Sequence, residues 1–302
     1  MAGLYDLIIV GAGPAGITAG IYAARKRLRT LVISKDVGGQ TALSGAVENY
    51  TGYQYISGFE LARKFEEHVK EFELEFHERE EVTGIRKIDD TFRVSTDQGA
   101  YEGKTVVVAS GAKPKELRIP GEKEFKNRGV TYCATCDAPL FAGRDVAVIG
   151  GGNSAMDATL QLLSIARKIY LITINPELEG DQIMKEKVLQ AKNVEVWTNT
   201  KMLEVLGDNM VAAIRVMKHE EAMLNVQGVF IEIGYTPNSE CIDVVEKNTL
   251  DEIKVNPRCE TNVPGIFAAG DVTDVPEKQI IIAAGEGAKA ALSAFSYLSR
   301  KG

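Results

Sequence analysis

Cysteine is scarce in this chain: Cys133, Cys136, Cys241 and Cys259 are all that 302 residues contain. That is too few for a secreted scaffold stapled by disulfides, so the Cys133-x-x-Cys136 pair speaks of redox or metal chemistry instead. Histidine is scarcer still, and His68, His77 and His219 lie scattered singly. No second ligand pair accompanies the two cysteines, the four-ligand tetrahedron of zinc is not supplied, and no metal is expected. Basic charge is also short. With a formal charge of -7 the chain lacks the basic face that neutralises phosphates, which argues against a nucleic-acid partner. No apolar run approaches the ~20 residues that span a bilayer, so no membrane partner is expected. The first apolar run, Leu7 to Val10, has no basic lead-in and no small-residue cleavage site; it reads as a strand rather than a signal peptide. A cytoplasmic location is the expectation.

What remains is ordinary globular composition, 45% hydrophobic and 25% charged, in a chain long enough to favour two domains. Internal similarity gives their organisation. Asp6 to Gly16 (DLIIVGAGPAG) is echoed by Asp145 to Ala155 (DVAVIGGGNSA), so two strand-turn-helix units begin two nucleotide-binding folds. Helices are predicted over Ile17 to Lys26 and Ala155 to Ala166, with closing strands Thr30 to Ser34 and Lys168 to Ile174. Between them Ser57-Gly58-Phe59-Glu60 resembles a capping box opening a helix that sets Leu61, Phe65 and Val69 on one face. Strands over Thr91 to Thr96 and Lys104 to Ala109 precede a linker marked by Pro114, Pro120 and Gly121. Near the end, Ile266 to Ala268 forms a short buried strand with no glycine fingerprint of its own, followed by a helix from about Ile280 to Leu298. It must complete an earlier sheet. The expectation is an α/β protein of two Rossmann-like three-layer domains, the second inserted into the first: 1–115 and 241–302 together, 116–240 between.

In Gly11-x-Gly13-x-x-Gly16 the first glycine permits the tight turn, the second lets a pyrophosphate approach the backbone, and the third lets helix and strand pack closely. The helix N-terminus then offers free N–H groups and a positive dipole. A tight structural turn is the plainer alternative, and position at the end of the first strand favours the nucleotide. Gly150-x-Gly152-x-x-Ala155 keeps the pattern with alanine last. Thiols two residues apart close into a readily exchanged disulfide. A structural disulfide would not need Asp137, whose carboxylate can relay a proton to a departing thiolate; a turn-capping carboxylate is the competing role. Cys241 and Cys259 read as ordinary core or surface thiols.

Taken with Gly38-Gly39-Gln40-Thr41, Val47-Glu48-Asn49-Tyr50, Tyr132 to Asp137, Ala268-Ala269-Gly270-Asp271-Val272 and Lys278-Gln279-Ile280, these motifs resemble the low-molecular-weight, thioredoxin reductase-like FAD disulfide reductases over essentially the whole chain. Pro176 to Gln182 and Gln279 to Ala288 are also similar to the reductase half of the alkyl hydroperoxide reductase flavoprotein; its extra N-terminal thioredoxin-like domain is expected to be absent here. The resemblance implies FAD in the first domain, on Gly11, Gly13, Pro14, Ala15, Gly16, Gly39, Gln40, Thr41, Asn49, Gly111, Gly270, Asp271, Gln279 and Ile280. It implies a nicotinamide nucleotide on Gly150, Gly152, Asn153, Ser154, Ala155 and Thr173. Cys136 would meet the flavin, Cys133 would attack the partner's disulfide, and Asp137 would donate and accept protons. Relatives rotate the inserted domain between two arrangements and pair as homodimers, and their partners are thioredoxin or glutaredoxin-like proteins.

One departure concerns the electron donor. NADPH-using relatives follow the second strand of the inserted domain with a His-Arg-Arg run and a further Arg. Here Ile172-Thr173-Ile174-Asn175-Pro176-Glu177 stands instead, with no basic residue between Lys168 and Lys185 and with Glu177, Glu179 and Asp181 making the loop acidic. NADH is expected over NADPH, although Thr173 occupies the place where NADH users put a carboxylate. Reduced ferredoxin or a deazaflavin is the alternative donor. A dithiol oxidase passing electrons to oxygen is a second alternative, disfavoured by the intact Gly150-Gly151-Gly152. A redox-sensing flavoprotein gives Asp137 no role.

Overall fold

Leu7, Ile8 and Ile9 are completely buried because the strand that carries them, β1 (Tyr5–Ala12), has a hydrophobic layer on each face. A strand covered on both sides is apolar at every position rather than alternating. The computed structural model describes residues 3–44 and 46–301, Ala46 by its backbone alone. It falls into two units: the chain up to Lys113 together with that from Thr236, and Pro114–Tyr235 between them.

In the first unit β1 runs into α1 (Pro14–Arg25) and returns as β2 (Thr30–Val37), parallel, with Ile8 beside Leu31. The helix begins three residues before the expected Ile17, because proline at the first helical position has its φ preset and no N–H to leave unpaired. α2 (Gly58–Lys70) opens on the expected capping box: Glu60 N–H donates to Ser57 Oγ at 3.2 Å, and Ser57 N–H to Glu60 Oε2 at 3.3 Å. Such a cap is worth about 1 kcal/mol. Leu61 and Val69 are buried and Phe65 half-buried. The chain continues as β3 (Glu75–Glu78), β4 (Val82–Ile88), β5 (Thr91–Thr96) and β6 (Ala100–Val108). β6 starts four residues before the expected Lys104, since it is the return arm of a hairpin in which Ser95 faces Ala100.

The second unit carries β7 (Val130–Thr131), the short helix α3 (Ala134–Asp137), β8 (Asp145–Ile149), α4 (Asn153–Leu162) and β9 (Lys168–Ile172). α5 (Gln182–Gln190) and β10 (Val194–Trp197) follow. An antiparallel meander of β11 (Lys201–Gly207), β12 (Val211–Met217) and β13 (Glu221–Asn225) then leads into β14 (Gly228–Ile231). The parallel sheet has the order β7-β14-β8-β9-β10, and the meander shares one of its hydrophobic layers through Val205, Ile214 and Val216.

After Thr236 the chain rejoins the first unit. β15 (Ile266–Ala268) pairs with β6 in parallel, Ile266 beside Val106, on the edge that β5 leaves free. It completes a seven-stranded sheet of order β3-β2-β1-β6-β5-β4 with β15 on β6, and α6 (Ile280–Lys301) closes the unit. The protein is thus α/β with two Rossmann-like domains, the second inserted into the first. Among the described residues no helix is long and apolar enough to cross a membrane.

Candidate functional site

Cys133 and Cys136 are joined as a disulfide with their Cα atoms 5.3 Å apart. The turn that brings them together is anchored at its start by β7. Thr131 Oγ1 accepts the N–H of Cys133 at 3.2 Å and donates its own proton to Asp137 Oδ2, while Cys136 N–H donates to Cys133 Sγ at 3.2 Å. Burial pushes the Asp137 carboxyl above the ordinary range, against the opposing pull of Thr131. A carboxyl of that kind, two links from a sulfur, is suited to exchange a proton with a thiolate.

Two residues that the motifs did not single out also shape this turn. Thr131 is one. The other is Glu232, one residue past β14, whose Oε1 accepts the N–H of Ala134 at 3.2 Å. Its carboxyl is pushed up to about 7, chiefly by burial and secondarily by the Asp157 carboxylate, with the Ala134 N–H pulling the other way.

The residues expected to hold FAD gather at the carboxyl ends of adjacent parallel strands, where open α/β sheets take their ligands. Gly11 lies at the end of β1 and Gly13 to Gly16 follow it, Gly39 to Thr41 follow β2, Gly111 follows β6, and Gly270 with Asp271 follow β15. A Cβ on Gly16 would lie 1.9 Å from Gly11 O, so strand and helix touch there and only glycine fits. By contrast a Cβ on Gly13 would meet nothing within 4 Å, and no side chain caps α1. Its first N–H groups therefore face an open cradle of the kind a pyrophosphate fills. Gly39 and Gly270 border this cradle, with built Cβ positions 3.5 Å from Gly13 Cα and 3.1 Å from Ala15 Cβ. Asn49 Nδ2 donates to Gln279 Oε1 at 3.0 Å, just before Ile280 opens α6. Asn238 N–H donates to Gly111 O at 2.9 Å. Thr41 is buried in the short helix that Gln40 begins. The Asp271 carboxyl is raised to about 6 by burial, opposed by Lys278. An uncapped helix, an open glycine floor and a desolvated carboxylate suit the pyrophosphate and hydroxyl groups of FAD.

The second fingerprint has the same build. α4 starts at Asn153, two residues before the expected Ala155, with Gly152 as an N-cap that no side chain serves. Gly150 has φ +146°, and a Cβ there would lie 2.3 Å from Glu232 O. Ala155 is buried, Gly152 and Ser154 exposed. The acidic loop folds onto this turn: Glu179 N–H donates to Gly151 O at 2.7 Å, and Asp181 N–H to Asn153 Oδ1 at 2.8 Å. Lys185, the first cation after it, pairs with Glu177 at 2.9 Å. Thr173 is buried and its Oγ1 accepts the N–H of Asn175 at 3.2 Å. Cys241 and Cys259 are free thiols, half-buried and buried respectively.

Comparison with known proteins agrees in kind. A family model described as pyridine nucleotide-disulphide oxidoreductase matches residues 5–287. An alkyl hydroperoxide reductase component of Staphylococcus aureus is 42% identical over 301 residues, covering 98% of this chain and 59% of its own length. A Bacillus subtilis protein named NADH dehydrogenase matches with the same identity and coverage. The chain thus spans about three fifths of the length of these curated relatives. Among solved structures, thioredoxin reductase from Streptococcus pyogenes superposes with a TM-score of 0.94 at 34% identity, over 99% of this chain and 100% of the other.

Proposed function

The chain belongs to the pyridine nucleotide-disulphide oxidoreductase family, and on that premise we propose that it is an FAD-dependent disulfide reductase of the thioredoxin reductase type. Electrons from NADH, in preference to NADPH, pass through the Cys133–Cys136 disulfide to the disulfide of a thioredoxin or glutaredoxin-like protein, in a homodimer. The observation that carries this is the closed Cys133–Cys136 pair with the desolvated Asp137 carboxyl beside it. Bound FAD would supply the two-electron relay between nicotinamide and disulfide.

The protein's own groups have separable tasks. Gly11 to Gly16, with α1 behind them, take the pyrophosphate; Asp271, with Asn49 and Gln279, orients the remainder. Cys136 receives the electrons, Cys133 attacks the incoming disulfide, and Asp137 returns a proton to the departing sulfur. The preference for NADH rests on the loop over the second fingerprint. Two missing charge-assisted hydrogen bonds of ~1.5–3 kcal/mol each weaken NADPH by roughly two to four powers of ten, and Lys185 is already engaged by Glu177. The name of the Bacillus subtilis relative, NADH dehydrogenase, points the same way.

Anaerobic reduction of the bound flavin, with each donor in turn, tests the donor: NADH should bleach it at low concentration and NADPH only at far higher. Tight, rapid bleaching by NADPH overturns the loop assignment, and bleaching by neither transfers the role to a low-potential donor such as reduced ferredoxin or a deazaflavin. Reoxidation then tests the acceptor, since a reductase is reoxidised quickly by oxidised thioredoxin and a dithiol oxidase by oxygen.

A further inference from the structure

We infer that Glu232 is a proton-holding positioning residue of the Cys133–Cys136 couple, taking up one of the two protons that accompany reduction of that disulfide. The inference rests on the disulfide-reductase reading above.

Parallel register puts Glu232 where it is. β7 pairs with β14 so that Thr131 lies beside Phe230, and the chains two residues further on, at Cys133 and Glu232, leave the sheet at the same edge. From there the carboxylate takes the N–H of Ala134, inside the Cys-x-x-Cys turn. The backbone of the same residue closes on the nucleotide turn: its N–H donates to Ile149 O at 2.8 Å, and its carbonyl is what excludes a Cβ from Gly150. One residue therefore touches both turns, the redox turn through its carboxylate and the second fingerprint through its backbone. The charged group set against it is Asp157 on α4, also acidic. Burial, opposed by the Ala134 N–H and reinforced by Asp157, pushes the carboxyl up to about 7, within reach of physiological change.

The electrons and protons balance as follows. Two electrons, from the reduced flavin or from an added dithiol, break the Cys133 Sγ–Cys136 Sγ bond. One proton goes to a sulfur and the second to the Glu232 carboxylate, leaving a thiol, a thiolate and a carboxylic acid. The net charge of the three groups is unchanged, so no second anion is stranded in a desolvated turn. A thiolate beside the carboxyl raises its proton affinity further, so reduction and protonation favour each other.

The test is the equilibrium between the holoenzyme's cysteine pair and a reduced/oxidised dithiothreitol buffer, read by thiol alkylation from pH 5.5 to 8.5. Wild type is compared with Glu232→Gln, which still accepts the Ala134 N–H but cannot titrate, and with Asp157→Asn, an exposed change that removes the repelling neighbour. From pH 7 to 8 the wild-type constant for reduction should fall about fivefold further than that of Glu232→Gln, about 20 mV, whereas below pH 6 the two should run parallel. In Asp157→Asn the steep segment should move to lower pH. Parallel curves for wild type and Glu232→Gln over the whole range, the behaviour of a carboxylate that merely holds the turn, overturn the inference. If Glu232→Gln does not fold, an unmoved segment in Asp157→Asn overturns it alone. A pair that never exchanges with the dithiol defeats the reductase reading itself, a different result from exchange without the extra proton.

Discussion

The Thr131 hydroxyl donates to the Asp137 carboxylate while its oxygen holds the N–H of Cys133 at 3.2 Å, so one side chain ties the Asp137 carboxylate to the backbone of Cys133. Asp137→Asn should lower the rate of partner-disulfide reduction by about 10²–10⁴-fold and leave flavin reduction by the donor unchanged. Thr131→Val has a different signature. It removes the one contact that lowers the Asp137 pKa and leaves burial, which raises it. The alkaline limb of the rate, where the acid loses its proton, should therefore move to higher pH, as a profile of disulfide reduction against pH will register.

Gly13 and Gly16 stand three residues apart and should fail in opposite ways. Gly16→Ala drives a methyl into Gly11 O, an overpacking that costs about 1–3 kcal/mol, and should lower the melting temperature of the apoprotein. Gly13→Ala meets open space and has an ordinary extended φ of -76°, so the fold should be kept. Its methyl enters the cradle, and the purified protein should hold little FAD. Melting temperature and flavin content, measured on both, separate the two.

Asp271 carries a stability cost that the proposed FAD site would explain. Its folded pKa is raised from 3.8 to about 6, so the stability linked to it is whole below about pH 4 and is lost as pH rises through 6. In the apoprotein, Asp271→Asn should gain denaturant resistance relative to wild type at pH 7.5 and none at pH 4. The same change should weaken FAD by about 10–100-fold, the loss of a charge-assisted hydrogen bond of ~1.5–3 kcal/mol. Urea midpoints at two pH values and a flavin titration check both halves.

Glu177→Arg tests the donor loop by addition. It places a guanidinium beside the second fingerprint and releases Lys185 from its ion pair. kcat/KM for NADPH should rise at least about tenfold, as one charge-assisted hydrogen bond warrants, with NADH little changed.

Much of this fold is legible in the chain because its strands are buried on both faces. Leu7 to Val10 and Val146 to Ile149 are continuous apolar runs ending in glycine, a pattern that long amphipathic helices do not give. The return of Ile266 to Ala268 to the first sheet followed from an apolar strand with no fingerprint of its own. Helix starts were less legible, since at Pro14 and Asn153 the glycine turn already passes into helix before the apolar pattern begins. Thr131 and Glu232 were invisible for a stronger reason. Glu232 meets Ala134 across 98 residues of sequence, through the register of β7 on β14, and no local spacing encodes a register between strands that far apart.

In the proposed cycle, electrons entering through the flavin lodge on Cys133 and Cys136. Anaerobic titration with dithionite, counting reducing equivalents per flavin, tests it most directly. Wild type should take up twice as many as Cys136→Ser, whose flavin still bleaches but whose disulfide cannot form. Equal uptake by the two proteins would show that the disulfide takes no electrons from the flavin.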